Sequence, residues 1–402
     1  MQQQERTIAF IHDDFPAGGA ERVTMDIANY LVSFSYKIYL FTGKYEPTKL
    51  PVDLPVSFEI IELPEQNACS SMQNALYLVE AINKLGIKIL IVPVRPLEYI
   101  GLIREKTNCK YVFAHHGMPF WESRIKFDMA QKRRHRSFGA QLEWLLVSYP
   151  KYKWFKKNKR QFYKAYKKTY NEVDRYTVLC QEYKNEIVNK LKLDSANNKI
   201  KCISNSERQI EKPNLDKKKQ ILFVGRLSYS DKRVDRLIDI WEKVYKTLPE
   251  WELIIVGDGE ERVKLENLAT KKGLARITFA GATTNVQRYY KDASILCLVS
   301  TLEGWPLCLT EAQANGVVPI AFDSVAGIHQ ILSPSGTNGY LVPPFNLNAF
   351  AETLQALAND PIRLNIMRYN VLKKAKEYAI EVIGKQWMDL LEDVYTEFFT
   401  KT

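Results

Sequence analysis

The chain has 402 residues, 46% hydrophobic and 26% charged, which is enough for two or three domains with sizeable cores and excludes a disordered, collagen-like or coiled-coil protein. Its six cysteines form no CxxC pair and lie mostly in apolar runs, so a disulfide scaffold is excluded and buried, reduced thiols are expected. The net charge of +11 is local: residues Arg124 to Lys168 hold 15 Lys and Arg against Asp128 and Glu143, and the rest of the chain sums to −2.

In chain order, strands are predicted at Thr7–His12, Lys37–Thr42, Phe58–Leu63, Lys88–Val94 and Lys110–Ala114. Helical patterns at Ala20–Leu31, Gln73–Leu85 and Leu97–Arg104 lie between them. Strands alternating with helices imply a parallel sheet covered on both faces. A segment rich in Lys, Arg, Trp and Tyr interrupts this rhythm from about Gly117 to Thr169. The rhythm resumes with strand Arg175–Leu179, helix Gln181–Leu191 and strand Ile200–Ile203. The polar stretch Asn205–Gln220 reads as a linker. A second series has strands Ile221–Val224, Glu252–Val256, Arg276–Ala280, Ile295–Val299 and Val318–Phe322. Its helices are Val234–Thr247, Glu260–Lys272, Asn285–Asp292 and Leu307–Asn315, and the chain is helical from Asn346. The N-terminal residues lead into the first strand without the pattern of a signal peptide, and no run is apolar enough to span a bilayer, so a cytoplasmic location is expected.

Open parallel sheets bind ligands at the carboxyl ends of their strands. Three constellations fall there. Gly18 and Gly19 follow the first strand, where they suit either a plain turn or backbone approach to an anion at a helix N-terminus. Arg226, in Gly225-Arg226-Leu227, and Lys232 can reach one phosphate group together, or can be two solvated cations. Glu303 and Glu311 bracket Gly304-Trp305-Pro306-Leu307 at a strand-to-helix junction. Carboxylates at that spacing suit the vicinal hydroxyls of a ribose or sugar, or merely favour a helix start.

With Val256-Gly257-Asp258-Gly259, Phe279-Ala280-Gly281 and Asn338-Gly339-Tyr340-Leu341-Val342, these motifs stand in the order found in family-4 retaining glycosyltransferases of the GT-B fold, which the chain resembles over nearly its whole length. The resemblance implies an α/β, GT-B protein of two Rossmann-like, doubly wound domains facing across a cleft. An acceptor-side domain would span 1–205, with a basic helical insertion near 118–169. A nucleotide-sugar domain would span 206–380, and a helix at 381–402 would pack back on the first domain. Arg226 and Lys232 would hold the donor diphosphate. Glu303, with backbone N–H groups around Gly304, Trp305, Pro306 and Leu307, would contact the donor sugar and its phosphate. Glu311 would bind the ribose. Gly18 and Gly19 would approach the phosphate from the other domain. His116 matches a histidine near the transferred sugar, with His115 beside it. Trp305-Pro306 replaces the commoner Phe-Gly, and Ala326-Gly327 with Gln330 replaces a Gly-Gly pair followed by Glu.

The implied reaction moves a sugar, with retention, from a nucleotide-diphosphate donor, UDP in preference to GDP, to a glycan or lipid-linked acceptor in cell-surface polysaccharide synthesis. No DxD pair or His/Cys cluster has metal-ligand spacing, so no metal and no cofactor is expected. The basic, aromatic segment 124–168 suits an anionic membrane surface, or an aromatic stripe facing the core with a solvated basic face. Contact with lipid would place the protein peripherally on the inner face of the cell membrane. No nucleic-acid module accompanies it, and none is expected as a partner. The alternatives are a GT-B nucleotide-sugar 2-epimerase, and a non-catalytic lipid-surface or polyanion binder of the same fold.

Overall fold

The computed structural model of the protein describes residues 6–16, 18–50, 56–122, 138–150, 157–194, 196 and 198–398. A first parallel sheet contains β1 (Arg6–Phe15), β2 (Tyr36–Tyr45), β3 (Glu59–Glu62), β4 (Ile89–Pro93), β5 (Lys110–Ala114), β6 (Arg175–Val178) and β7 (Ile200–Cys202) in the order β3-β2-β1-β4-β5-β6-β7. Its helices are α1 (Gly19–Ser33), α2 (Met72–Leu85), α3 (Ile100–Lys106), α4 (Phe138–Glu143), α5 (Lys157–Glu172) and α6 (Gln181–Leu191). A second parallel sheet contains β8 (Gln220–Val224), β9 (Glu252–Val256), β10 (Ile277–Gly281), β11 (Ile295–Leu298), β12 (Val318–Phe322) and β13 (Tyr340–Val342) in the order β10-β9-β8-β11-β12-β13. Its helices are α7 (Val234–Val244), α8 (Arg262–Lys271), α9 (Gln287–Asp292), α10 (Leu307–Ala314), α11 (Ala326–Leu332), α12 (Leu347–Ala358) and α13 (Pro361–Ala375). The last helix is α14 (Ile380–Thr396).

The local causes are ordinary. Central strands such as β4 and β12 are buried along their whole length, as expected where helices cover both faces of a parallel sheet. Helix α7 buries Val234, Leu237, Ile238, Trp241 and Val244, an i, i+3, i+4, i+7 stripe. The Ser71 side chain caps α2 by accepting from the Asn74 N–H. The sixth strand of the second sheet, β13, lies inside the Asn338–Val342 motif that the pattern reading left outside the strands; three residues are too few to show a period. Five cysteines are buried, but Cys202 is exposed at the end of its edge strand.

The chain crosses between the sheets twice, and the crossings touch. The Glu207 N–H donates to the Tyr378 carbonyl at 2.7 Å, and Glu207 pairs in parallel with Ala379. Beyond the second crossing, α14 buries Ile383, Trp387, Leu390, Leu391 and Val394 in the same core as Ile8, Val23 and Ile27 of the first sheet's β1 and α1. Glu392 adds contacts to Arg6, at 2.9 Å, and to the Tyr36 hydroxyl, at 2.7 Å. A separate apolar cluster is continuous from Val178 and Tyr183 to Trp305 and Ile328, so the two halves share buried surface.

Gly384 marks the closest approach of α14 to α1, where a Cβ would fall 2.3 Å from Cδ1 of Tyr30. In an open helix, Gly→Ala stabilises by about 1 kcal/mol. Here overpacking, at about 1–3 kcal/mol, opposes that gain. Gly384→Ala is expected to lower the urea midpoint, and adding Tyr30→Ala to restore it; an unchanged or higher midpoint in the single variant would contradict this packing.

Candidate active site

Each sheet has a strand-order reversal, between β1 and β4 in the first and between β8 and β11 in the second. Loops leaving neighbouring strands there turn to opposite faces and open a crevice at the carboxyl ends. The two crevices meet: a Cβ on Gly19, after β1, would lie 3.2 Å from Cδ1 of Leu307, the first residue of α10 after β11.

On the first side, Gly18 is the N-cap of α1, and the Glu21 carboxylate three residues on lies beside it, 3.3 Å from where a Cβ on Gly18 would stand. Burial raises Glu21, but the hydrogen bond and charge of His12 outweigh it and hold the carboxyl below its usual range. His12 Nδ1 is 3.3 Å from that carboxylate, and its Nε2 is 3.0 Å from Thr24 Oγ1.

The adjacent histidines have different surroundings. His115 lies among Phe113, Tyr166 and Tyr176, with Nδ1 3.1 Å from the Tyr176 hydroxyl, and burial pushes it down to about 3. His116 sits at the first crossing, with Nδ1 2.7 Å from Asn205 Oδ1. Burial outweighs that hydrogen bond and pushes it down to about 4, so its ring is neutral at neutral pH.

On the second side, the loops after β8, β9 and β10 are stitched by backbone bonds: Gly225 N–H to the Val256 carbonyl (3.0 Å), Leu227 N–H to Asp258 (2.8 Å) and Gly257 N–H to Gly281 (2.9 Å). Arg226 projects from this stitching with its side chain 67% exposed, touching Asp231 at 3.1 Å. Thr301 N–H donates to the Asp231 carbonyl at 2.7 Å and ties the β8 loop to the β11 loop. That bond brings Lys232 to Glu303, with Nζ 2.7 Å from Oε1 in a site shielded from water. Burial opposes the ammonium, yet Glu303 holds Lys232 above its usual range.

Gly304 is where the two halves approach closely. A Cβ there would lie 2.7 Å from the His116 carbonyl oxygen, and a Cβ on Gly327 would lie 2.1 Å from the Gly304 carbonyl oxygen. The Tyr183 hydroxyl, from α6 of the first sheet, donates to the Gly304 carbonyl at 2.9 Å and accepts from the Gly327 N–H at 3.2 Å. Trp305 is buried edge-on to Tyr378, with ring centroids 5.3 Å apart, so its ring fills the crossing and only its backbone borders the loop. Pro306 is the N-cap of α10 and brings no side-chain cap, which leaves first-turn N–H groups for an anion. Glu311, one turn further in, is buried: one oxygen meets Arg22 and the other accepts from the Tyr290 hydroxyl at 2.6 Å.

The structure thus gathers Gly18, Gly19, His116, Lys232, Glu303, Gly304, Pro306 and Leu307 around one cleft. Arg226 stands at its rim and Glu311 in its floor. Sequence reasoning missed Tyr183, Asn205 and Tyr290, for which no local pattern exists. Arg22 stands in the Gly-Gly-Ala-Glu-Arg run, the one signal that could have drawn notice. No three His, Cys, Asp or Glu side chains among the described residues gather as a metal site.

Residues 17–206 match the family model described as Glycosyltransferase Family 4, and residues 205–378 match Glycosyl transferases group 1. The chain belongs to the family-4 glycosyltransferases. This glycosyltransferase is 28% identical over 388 residues to an uncharacterized glycosyltransferase of Haemophilus influenzae, covering 95% of this chain and 98% of that one. It is 33% identical over 177 residues to the amylovoran biosynthesis glycosyltransferase AmsD of Erwinia amylovora, covering 44% and 48% respectively. Its fold matches that of HepE from Anabaena, crystallised with UDP and glucose, at TM-score 0.70 and 16% identity over 97% of this chain and 100% of that one. The family-4 enzyme is therefore an α/β protein of the GT-B fold.

The buried His115 and the half-buried His116 give a test of pH dependence. Unfolded, each titrates near 6.5, and the folded values lie lower, so the unfolded state binds more protons between the two. Their contribution to stability is complete above about 6.5 and is lost as pH falls, by about 1.4 kcal/mol per pH unit for each histidine. His115→Gln is expected to reduce the slope of stability against pH between about 6.5 and 4 by one such increment, read from urea midpoints; an unchanged slope would show that His115 is not buried neutral.

Proposed function

We propose that this glycosyltransferase moves a sugar, with retention, from a UDP-linked donor to a glycan or lipid-linked acceptor of cell-surface polysaccharide synthesis, without a metal. The observation that carries this reading is the meeting of the two switch points. An anion-binding helix start, a partly shielded Lys232–Glu303 pair and a neutral His116 converge there from both sheets. HepE holds UDP and glucose, and AmsD serves amylovoran biosynthesis, which supports the donor and the acceptor class.

Chemically, the leaving diphosphate needs positive charge placed beforehand. Lys232 supplies a fixed ammonium, Arg226 a mobile guanidinium from the rim, and α10 its first-turn N–H groups. Glu303 keeps Lys232 protonated while the site is empty and then faces the sugar as positive charge develops on it. His116, with Asn205 accepting from Nδ1, presents Nε2 as an acceptor for a sugar hydroxyl. Departing phosphate helps remove the acceptor proton. The relatives that are named for an activity are transferases, so the 2-epimerase is not favoured.

We place the enzyme in the cytoplasm, resting peripherally on the inner membrane face through residues 124–168. Residues 123–137 and 151–156 lie outside the described residues. Within the described part, Tyr166 packs inward on Phe120 and His115, which accounts for part of the aromatic stripe. Leu145, Leu146 and Val147 are each more than half exposed inside this basic stretch, which supports lipid contact. No helix among the described residues is long and apolar enough to cross a membrane.

Four measurements test this. UDP, GDP and ADP are compared by thermal shift; a ligand at a hundredfold excess over its dissociation constant adds about 2.7 kcal/mol. UDP is expected to stabilise most, and no shift with any of them would overturn the donor site. Glu303→Gln should lower turnover more than it raises the Michaelis constant. Turnover should persist in EDTA, whereas loss restored by Mg²⁺ or Mn²⁺ would refute the metal-free mechanism. Sedimentation with anionic vesicles should weaken as salt screens charges beyond about 8–10 Å, and equal binding to neutral vesicles would refute the membrane assignment.

A further inference from the structure

Two buried carboxylates from different parts of the fold share one cation. The Arg22 guanidinium, on the second turn of α1, meets Glu311 of α10 through Nη1 and lies 3.4 Å from Glu207 Oε1 through Nη2. Glu207 is 2% exposed and Glu311 6%. Their remaining oxygens are also engaged: Tyr290 OH donates to Glu311 at 2.6 Å, and Thr310 Oγ1 donates to Glu207 at 2.8 Å. Glu207 Oε1 further accepts from the Arg208 N–H at 3.0 Å. One charged pair borders the group, Arg208 Nε on Asp26 at 3.1 Å, and Asp26 also faces Arg22. The charges around the group are thus two arginines against three carboxylates, with Tyr290 protonated because burial and Glu311 push its phenol up.

We infer that Arg22 is a positioning residue for the donor: it reaches from the first half of the molecule to hold the Glu311 carboxylate and fastens it to the interdomain crossing through Glu207. The inference rests on Glu311 facing the donor ribose, as proposed above. An arginine suits the task because its planar fork can serve two carboxylates at once, which a lysine's single ammonium does less well. Burial and the neighbouring Glu311 push Glu207 up, while both carboxylates hold Arg22 above its usual range. Arg22 is the charge that opposes burial and Glu311 at Glu207, so without it Glu207 would be pushed further up in a dry site. The dependence of nucleotide affinity on pH would then change.

The test measures the affinity of wild type, Arg22→Gln, Arg22→Lys, Glu207→Gln and the double variant Arg22→Gln/Glu207→Gln for UDP by calorimetry from about pH 6 to 9, with GDP and ADP beside it. Arg22→Gln is expected to weaken UDP binding about tenfold or more, the scale of a lost charged hydrogen bond. It is also expected to shift the pH dependence of affinity upward from that of wild type and to raise the donor Michaelis constant more than it lowers turnover. Arg22→Lys is expected to fall between the two, and Glu207→Gln to recover affinity in the Arg22→Gln background, since one carboxylate then remains. Affinity within about twofold of wild type, with the wild-type dependence on pH, would overturn the inference and leave the donor site standing. A uniform loss at every pH, not recovered by Glu207→Gln, would also overturn it, because Arg22 would then only support folding. If Arg22→Gln does not fold, Arg22→Lys with and without Glu207→Gln decides on the same criterion. If wild type binds none of the three nucleotides, the reading of Glu311 fails first and the inference with it.

Discussion

The site depends on a constraint of parallel sheets. A parallel strand must be followed by a crossover, and when strand order reverses, successive crossovers fall on opposite faces and leave a gap at the carboxyl edge. This chain makes that reversal twice, at β1/β4 and β8/β11, and turns the two gaps toward each other. Everything chemically useful then follows from loop positions. Glycines and helix starts arrive at the gap because the topology ends strands there, and charged residues can be held there because both faces behind them are packed. The Lys232–Glu303 pair is largely shielded from water yet lies at a loop junction, because the middle of β8 and the whole of β11 beneath it are buried.

Much of this was legible in the sequence. The seven strands of the first sheet and five of the second show as apolar runs between helical patterns, most clearly the central ones, where burial on both faces demands it. The loop residues Gly18, Gly19, Arg226, Lys232, Glu303, Gly304 and Glu311 show because they follow strand ends at short range. The strand β13 did not, for three residues carry no period. The choice between His115 and His116 did not either, because alternation sends one ring into the sheet's core and the other to the crossing only once the strand's end is fixed.

Other parts of the site were out of reach for a different reason. Tyr183 is 121 positions from Gly304, and Asn205 is 89 from His116. Nothing in the local pattern of either marks it, and each matters through one hydrogen bond made possible by the domains' mutual placement. Glu311 illustrates the reverse. Its motif suits a carboxylate for vicinal hydroxyls, but does not reveal that Arg22 and Tyr290 already hold both its oxygens. Spacing reveals which chemistry a loop can carry, whereas the balance of charge around it is set by partners distant in the chain.

The Tyr183 hydroxyl has a consequence for how such enzymes can be recombined. Two-domain transferases invite exchange of halves, one supplying the acceptor and the other the donor. In this protein the seam is not at the linker, because the loop around Gly304 and the start of α11 at Gly327 borrow a hydrogen-bond partner from α6 of the opposite half. A graft cut between the sheets would carry Gly304 and Gly327 into a partner lacking that phenol, leaving a carbonyl and an amide without their shared bridge. The heritable module is therefore the donor half together with α6, and its border runs through the first domain's last helix.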